Sequence, residues 1–230
     1  KEVILGSAPA MNSRILVIGC GNSEFSHDMY DGGYKCIRNQ DYSSIVIEEM
    51  KSKNNITSNS NDNKRPGMLW DLGDMTHMPE YQDESFDVVL DKGALDALMS
   101  VDSEDTRRKA NDMFAEISRV LTNSKDGKYV CVTLAESFIL DTLVSYFIDD
   151  RATSAGEDGG AQVHWGVEIH TFSTTGRSSP FKPLVMVFTK QQQQKKAVKS
   201  SIECYVSSIG DRIGKEQGFY TSETTLGTSA

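Results

Sequence analysis

Residues 14–23, RILVIGCGNS, contain the pattern that decides the fold. A mainly apolar run ends at Gly19, and a second glycine, Gly21, stands just before the expected start of a helix at Ser23. Such a run is typical of a parallel strand that is buried on both faces. Gly19 allows a sharp turn after the strand, and Gly21 lets a ligand approach the backbone where a Cβ would clash. The stretch predicts a strand–turn–helix unit that is either a ligand site or a bare structural turn.

Strand and helix patterns alternate on the C-terminal side of this unit. Further strands are predicted over 35–41, 68–72, 86–91, 129–134, 162–172 and 184–189. Helices are predicted over 23–30, 42–51, 102–122 and 139–148. No helical run separates the last two strands, so they form an antiparallel pair at one edge of a mostly parallel sheet. The prediction is an α/β fold, Rossmann-like and doubly wound, with seven strands and helices on both faces.

Composition limits the classes of function. The 230 residues include 24 Lys and Arg against 33 Asp and Glu, a net charge of −9. Sequence-independent nucleic-acid binding needs basic patches, so no direct nucleic-acid contact is expected. No apolar run approaches the roughly 20 residues of a membrane helix. The four cysteines are far apart and the four histidines are scattered, which argues against a metal site and a disulfide framework and favours the cytoplasm.

The domain organisation follows from two atypical stretches. Residues 53–66 form an Asn/Ser-rich insertion that we expect to be an exposed, mobile loop. Residues 191–230 open with QQQQKK and have weak periodicity, which favours a linker-like or disordered tail. The prediction is one domain over residues 1–190. Because the first residue is Lys, we also expect that an upstream segment is missing.

Asp41 ends the second strand, 22 residues after Gly19 (41 − 19). A carboxylate at this spacing is positioned to accept hydrogen bonds from ribose hydroxyls, although an Asp before a helix is often an N-cap. Tyr42 follows and is predicted to lie against the adenine or ribose. The nucleotide fingerprint G-x-G-x-x-G has Glu24 in place of its third glycine, and an acid there would repel a pyrophosphate. This favours an adenosine ligand without phosphates over NAD.

Two further charged motifs follow strands. Asp74 is placed to accept a hydrogen bond from the adenine amine while Met75 packs on the ring, although a turn residue and a core methionine would give the same pattern. Asp91 and Lys92 come directly after the fourth strand, at the predicted cleft between the two halves of the sheet. A charged pair at that position is hard to explain by packing.

Together the segments GCGNSEFS, QDYSSIVIEEM, GDMTHM and SFDVVLDKGALDALM resemble the seven-strand, S-adenosylmethionine-dependent methyltransferases. More narrowly, they are similar to the group of methyltransferase-like protein 13 and the elongation factor 1-alpha lysine methyltransferases. The resemblance spans about residues 14–190, and DKGALDAL is its most specific part. It implies that the last strand runs antiparallel between two others, and that relatives carry an upstream segment that closes over the cofactor.

The resemblance also implies the roles of the site residues. S-adenosylmethionine is the implied cofactor: its methionine part faces two glycines, its ribose and adenine are held by two residue pairs, and a lysine lines the pocket. These residues are Gly19 and Gly21, Asp41 and Tyr42, Asp74 and Met75, and Lys92.

The predicted reaction is transfer of the methyl group to a nitrogen of a protein lysine, and the resemblance suggests elongation factor 1-alpha as the acceptor. Carboxylates near the acceptor can bind its cation before the proton leaves, and Asp91 and Asp96 are the candidates for this acidic surface. A net charge of −9 suits a basic protein partner. The alternatives are methylation of a protein N-terminus or a small molecule, or a non-catalytic module that binds cofactor or a partner. The sequence does not indicate the oligomeric state.

Overall fold

The computed structural model describes residues 10–55, 65–123, 127–148, 164–171 and 183–191. Most of the Asn/Ser-rich insertion and the tail beyond Gln191 lie outside these ranges, so the expectations of an exposed loop and a disordered tail remain predictions. The boundary predicted at residue 190 falls within the last strand, which includes Gln191.

The described residues form a seven-stranded sheet in the order β3-β2-β1-β4-β5-β7-β6. The strands are β1 Arg14–Ile18, β2 Cys36–Asp41, β3 Met68–Leu72, β4 Val88–Lys92, β5 Lys128–Thr133, β6 His164–Thr171 and β7 Leu184–Gln191. The pairs β1–β2, β1–β4, β2–β3 and β4–β5 are parallel. Strand β7 is antiparallel to both of its neighbours, β5 and β6. The predicted fold, including an antiparallel strand between two others, is confirmed.

The helices are α1 Phe25–Asp31, α2 Ser44–Asn55, α3 Ala94–Leu98, α4 Glu104–Val120 and α5 Ser137–Phe147. Helix α4 begins with a capping box, in which Ser103 accepts from the Thr106 amide and Thr106 accepts from the Ser103 amide. Helix α3 was not predicted. With five residues it is too short to show the 3.6-residue period from which longer helices are recognised. None of the helices within the described ranges is long and apolar enough to cross a membrane.

The core is apolar around β1 and aromatic around β5. Residues 15–18 of β1 are almost completely buried, as expected of a central strand covered on both faces. At β5, the ring of Tyr129 stacks on Phe188 of β7, with centroids 5.6 Å apart. Phe147 of α5 lies 4.5 Å from Phe188 and 5.0 Å from Phe114 of α4. These contacts hold the antiparallel strand against the helices, and each aromatic pair contributes about 0.5–1.5 kcal/mol beyond area burial.

The chain reverses its direction of progress across the sheet at β1. From there β2 and β3 extend to one side and β4, β5 and the remaining strands to the other. In open α/β sheets, ligands bind in the crevice beyond the carboxyl ends of the strands at such a reversal. The fold therefore places the candidate site beyond Ile18 and the end of β4.

Candidate functional site

A cavity of about 490 Å³ lies at the carboxyl ends of β1 to β4, within the usual size range of small-molecule pockets. Five of the seven residues predicted to bind the cofactor line it: Gly19, Asp41, Tyr42, Asp74 and Met75. The structure thus brings together residues that are up to 56 positions apart (75 − 19). Gly21 and Lys92 are not among its lining residues within the described chain.

The two glycines of the turn have different surroundings. Gly19 has φ +53° and Gly21 has φ +55°, which is a conformation that favours glycine. A Cβ on Gly19 would stand 2.5 Å from the Cβ of Ala94 in α3, whereas a Cβ on Gly21 would meet no atom of the described residues within 4 Å. Gly19 is therefore required for the contact between β1 and α3. Gly21 leaves open space beside its backbone, as a residue approached by a ligand would.

The buried carboxylate of Asp41 connects the glycine turn to the start of α2. Its Oδ2 accepts a hydrogen bond from the Gly21 amide at 2.9 Å, and its Oδ1 accepts one from the Ser43 amide at 2.9 Å. The hydroxyl of Ser43 accepts from the Val46 amide at 3.4 Å, so Ser43 and not Asp41 occupies the capping position of the helix. A carboxylate offers about four lone-pair sites, so two amides leave capacity for ribose hydroxyls.

The residues predicted near the adenine surround the mouth of the cavity. Tyr42 is 83% exposed. Asp74 is exposed, and its Oδ1 accepts from the amide and hydroxyl of Thr76, both at 2.8 Å. Met75 is half-buried, with its sulfur 3.9 Å from the point where a Gly19 Cβ would be. Asp74 shapes its own turn, and its Oδ2 accepts no hydrogen bond from any residue that the structure describes.

Asp91 does not form part of an acidic surface, and this prediction is wrong. The side chain is completely buried at the end of β4. Its Oδ1 accepts from the Ala94 amide at 2.7 Å, and its Oδ2 accepts from the Tyr129 hydroxyl at 3.1 Å. Burial raises the pKa of Asp91 to about 6. A carboxylate with these contacts organises the backbone of α3 and does not reach an acceptor outside the protein.

Asp96 is half-buried on α3 and faces the loop after β5. Its Oδ1 accepts from the Thr133 hydroxyl at 3.0 Å and from the Leu134 amide at 2.9 Å. Its Oδ2 is buried and has no hydrogen-bond partner among the described residues. The next residue of the loop, Ala135, has φ +60°, a conformation rarely adopted by non-glycine residues and concentrated at functional sites. Asp96 therefore joins α3 to a strained loop with an exposed leucine, Leu134.

Lys92 is exposed at the end of β4 beside Gly93, which does line the cavity.

Sequence reasoning missed other lining residues, namely Gln40, Gly73, Thr76, Gly93, Ala94, Ala97, Leu98 and Lys109. A signal for Gln40 existed, since it is a polar residue in a strand expected to be buried. It is fully buried, and its Nε2 donates to Glu80 Oε1 at 2.8 Å. Ala97 and Leu98 belong to the segment DKGALDAL, the most specific part of the family resemblance, but the five-residue helix α3 has no periodic pattern that would have assigned them to the cavity wall.

A second cavity, of about 430 Å³, is lined by residues from the amino ends of β1 and β2 and includes none of the predicted site residues. Arg14 and Arg38 line it, and they form ion pairs with Asp87 and Asp71, each at 2.9 Å. Across the described parts of the chain, no group of three or more His, Cys, Asp or Glu is placed to hold a metal ion.

Comparison with known proteins gives consistent results. A family model described as a methyltransferase domain matches residues 10–153. The eEF1A lysine and N-terminal methyltransferase of Homo sapiens is 36% identical over 209 residues, which cover 86% of this chain and 28% of that protein. Its counterpart in Mus musculus is 44% identical over 134 residues, which cover 58% of this chain and 18% of that protein. The chain spans less than a third of the length of these relatives.

Solved structures show the same fold at low sequence identity. A SAM-dependent methyltransferase from Methanosarcina mazei superposes with a TM-score of 0.58 at 12% identity, covering 83% of this chain and 98% of that chain. A TehB-like SAM-dependent methyltransferase from Corynebacterium glutamicum superposes with a TM-score of 0.51 at 22% identity, covering 82% of this chain and 86% of that chain.

Proposed function

The chain belongs to the family of S-adenosylmethionine-dependent methyltransferase domains, and from this premise we propose that it methylates the side-chain amine of a protein lysine. The observation that carries the proposal is the similarity, over 86% of the chain, to a protein named eEF1A lysine and N-terminal methyltransferase. Its name supports eEF1A as the acceptor and makes a protein N-terminus the second candidate. The net charge of −9 supports a basic partner.

The residues of the cavity suit the cofactor. The buried carboxylate of Asp41 retains acceptor capacity for a ribose diol, and the open space beside the backbone of Gly21, which lies outside the described lining of the cavity, would admit the methionine part of the cofactor. Asp74 and Met75 line the same cavity, which supports the proposal that Asp74 accepts a hydrogen bond from the adenine amine and that Met75 packs on the ring. When bound, S-adenosylmethionine supplies a methyl group activated by a sulfonium centre. The protein has to orient the acceptor amine and exclude water, which supplies most of the rate enhancement in such displacements.

An acceptor lysine reacts as the neutral amine, although its ordinary pKa lies near 10.4. We propose that Asp96 binds the ammonium form next to the cofactor cavity, and that the proton then leaves to water. The Oδ2 of Asp96 is buried but, unlike the oxygens of Asp91, has no hydrogen-bond partner among the described residues, and this unused acceptor capacity supports the role. The exposed side chains of Leu134 and Val101 and the strained Ala135 lie in the segments that flank Asp96, and they support contact with a protein rather than a small molecule. Lys92, exposed beside the same cavity, remains a proposed pocket residue.

A methylation assay tests the proposal. The full protein that contains this chain is incubated with labelled S-adenosylmethionine and purified eEF1A, and tryptic peptides are examined by mass spectrometry. Label on an internal lysine peptide is the expected result, and label on the N-terminal peptide would favour the second candidate. Label that stays in low-mass products would refute protein methylation. The same conclusion would follow if neither eEF1A nor any protein of a cytosolic lysate, incubated in the same way, became labelled.

Asp96→Asn is the matched variant for the acceptor side. It keeps the shape and the contact to the loop, so S-adenosylmethionine should bind as in the wild type while methyl transfer falls about tenfold or more, the scale of one charged hydrogen bond. Equal transfer rates would remove Asp96 from the proposal.

We also propose that the protein acts in the cytoplasm. Cys20, Cys36 and Cys131 are free thiols in the described structure, which agrees with a reducing compartment. Fluorescence microscopy of the tagged full protein tests this, and a signal confined to an oxidising compartment would contradict it.

A further inference from the structure

Asp91 is a fully buried carboxylate that takes no part in the proposed binding of the acceptor lysine. Its hydrogen bonds connect it to the helix that forms one wall of the cofactor cavity. The amides that donate to it belong to Ala94, at 2.7 Å, and Leu95, at 3.2 Å from Oδ2. These are the first two residues of α3. Behind the carboxylate, the Tyr129 hydroxyl donates at 3.1 Å from the aromatic core.

Helix α3 forms one wall of the cavity. Ala94, Ala97 and Leu98 line it together with Gly93, the residue with φ +80° that leads into the helix. Ala94 also fixes the distance between α3 and the glycine turn, since there is no room for a Cβ on Gly19 against the Cβ of Ala94. A change in the position of the first turn of α3 therefore changes the width of the cavity.

We propose that Asp91 is a positioning residue that holds α3 against the glycine turn, and that its ionised form is the one that keeps the cavity ready for S-adenosylmethionine. The carboxylate accepts from two backbone amides and one hydroxyl at once, and protonation would turn one of its oxygens into a donor facing these donors. The inference goes beyond the proposed function because it concerns cofactor affinity, whatever the methyl acceptor is.

The groups that face Asp91 come from two elements. Tyr129 and Cys131 lie on β5, with the Cys131 sulfur 3.8 Å from Oδ2, and Asp96 lies on α3. On the other side of β4, strand β1 pairs the apolar Ile18 with Asp91. Within the described ranges, no Lys, Arg or His forms an ion pair with it. Burial, with a smaller contribution from the charge of Asp96, raises the pKa of Asp91 to about 6, so its protonation falls in an accessible range.

The test is the pH dependence of S-adenosylmethionine binding, measured by calorimetry between pH 5 and pH 8 on the full protein. The wild-type affinity should fall about tenfold below pH 6, the size expected when one hydrogen bond to a charged group is lost. Asp91→Asn should bind about tenfold more weakly at pH 7.5, with little further change as the pH is lowered. Tyr129→Phe keeps the ring but removes a donor that favours the charged form, so its midpoint should move to higher pH.

His77→Gln is the control, because histidines titrate in the same range and the His77 amide donates to the backbone of the cavity residue Asp74. This variant should keep the wild-type midpoint. A merely structural role for Asp91 predicts lower melting temperatures for the Asp91 and Tyr129 variants without a shifted midpoint.

The proposal is overturned if the Tyr129→Phe midpoint equals that of the wild type, if Asp91→Asn retains the wild-type pH profile, or if His77→Gln abolishes the profile. Should Asp91→Asn fail to fold, the Tyr129→Phe midpoint decides alone. A wild-type protein that binds no S-adenosylmethionine at any pH would overturn the cofactor assignment as well. Normal binding without pH dependence would overturn only the role of Asp91.

Discussion

Replacing each glycine of the turn by alanine tests the two functions that the structure separates. Gly19→Ala and Gly21→Ala make the same chemical change at nearly the same backbone conformation, φ +53° and φ +55°. An alanine in this left-handed region costs roughly 1–2 kcal/mol at either site. Each substitution also lowers the conformational entropy of the unfolded chain by a similar amount. The difference between the two variants therefore reports on what the new methyl group meets.

At Gly19 the methyl group meets the Cβ of Ala94 at 2.5 Å, and at Gly21 it meets no atom within 4 Å in the part of the chain that the structure describes. Both contacting carbons at Gly19 are fixed to backbone, so β1 or α3 has to shift, and overpacking of this kind costs about 1–3 kcal/mol. Gly19→Ala should lower the free energy of unfolding by about 2–5 kcal/mol, and Gly21→Ala by about 1–2 kcal/mol.

The assay is urea denaturation of both variants, followed by calorimetric titration with S-adenosylmethionine at a temperature where both are folded. Gly21→Ala should weaken cofactor binding about tenfold or more, although it is the more stable variant, because its methyl group fills the space offered to the ligand. Equal losses of stability would refute the packing account of Gly19. Unchanged binding of S-adenosylmethionine by Gly21→Ala would refute the proposal that the cofactor occupies the space beside Gly21.

Two further predictions concern the carboxylates. Asp41→Ala should weaken S-adenosylmethionine binding about 10- to 100-fold and lower the free energy of unfolding by about 2 kcal/mol, because two backbone amides lose a charged acceptor. The affinity and stability of Asp41→Asn should lie between those of the wild type and Asp41→Ala. A loss of stability with intact binding would contradict the ribose assignment. For Asp91, the pKa of about 6 lies above the ordinary 3.8, so its contribution to stability is present in full below the unfolded pKa and is lost as the pH rises through about 6. From pH 7 to pH 5 the wild type should therefore gain roughly 1 kcal/mol of unfolding free energy over Asp91→Asn in urea titrations, and parallel pH curves would contradict this.

The sheet was predictable from the sequence because its strands carry their signals locally. The apolar run of β1 and the 3.6-residue period of α4 needed no tertiary information, and the two final strands without an intervening helix indicated an antiparallel pair. The position of β7 between β5 and β6 came from the family resemblance. The five-residue helix α3 could not be found, because its first turn is held by the side chain of Asp91 rather than by a periodic pattern.

The sequence predicted which residues belong to the candidate site better than it predicted how deeply they are buried. Glycines and acids that follow strands identified Gly19, Asp41 and Asp74, since the carboxyl ends of parallel strands converge. The sequence did not indicate that Asp91 is fully buried, because burial depends on Tyr129, 38 positions away (129 − 91). Nor did it indicate that Asp41 accepts from the Gly21 amide across the turn.

The place of β7 has a consequence for how the chain is made. Strand β5 ends at Thr133, but the strand that covers its free edge begins at Leu184, 51 residues later (184 − 133). At the usual pace of synthesis, about 5–20 residues per second, the ribosome needs roughly 3–10 s to deliver it. During that interval the nascent chain has β1 to β5 available, but one edge of β5, which contains two valines and one tyrosine, is unpaired and can bind to wrong partners. Completion of the described sheet thus waits for β7, although the lining residues of the cofactor cavity within the described ranges, Gly19 to Lys109, all emerge before β5.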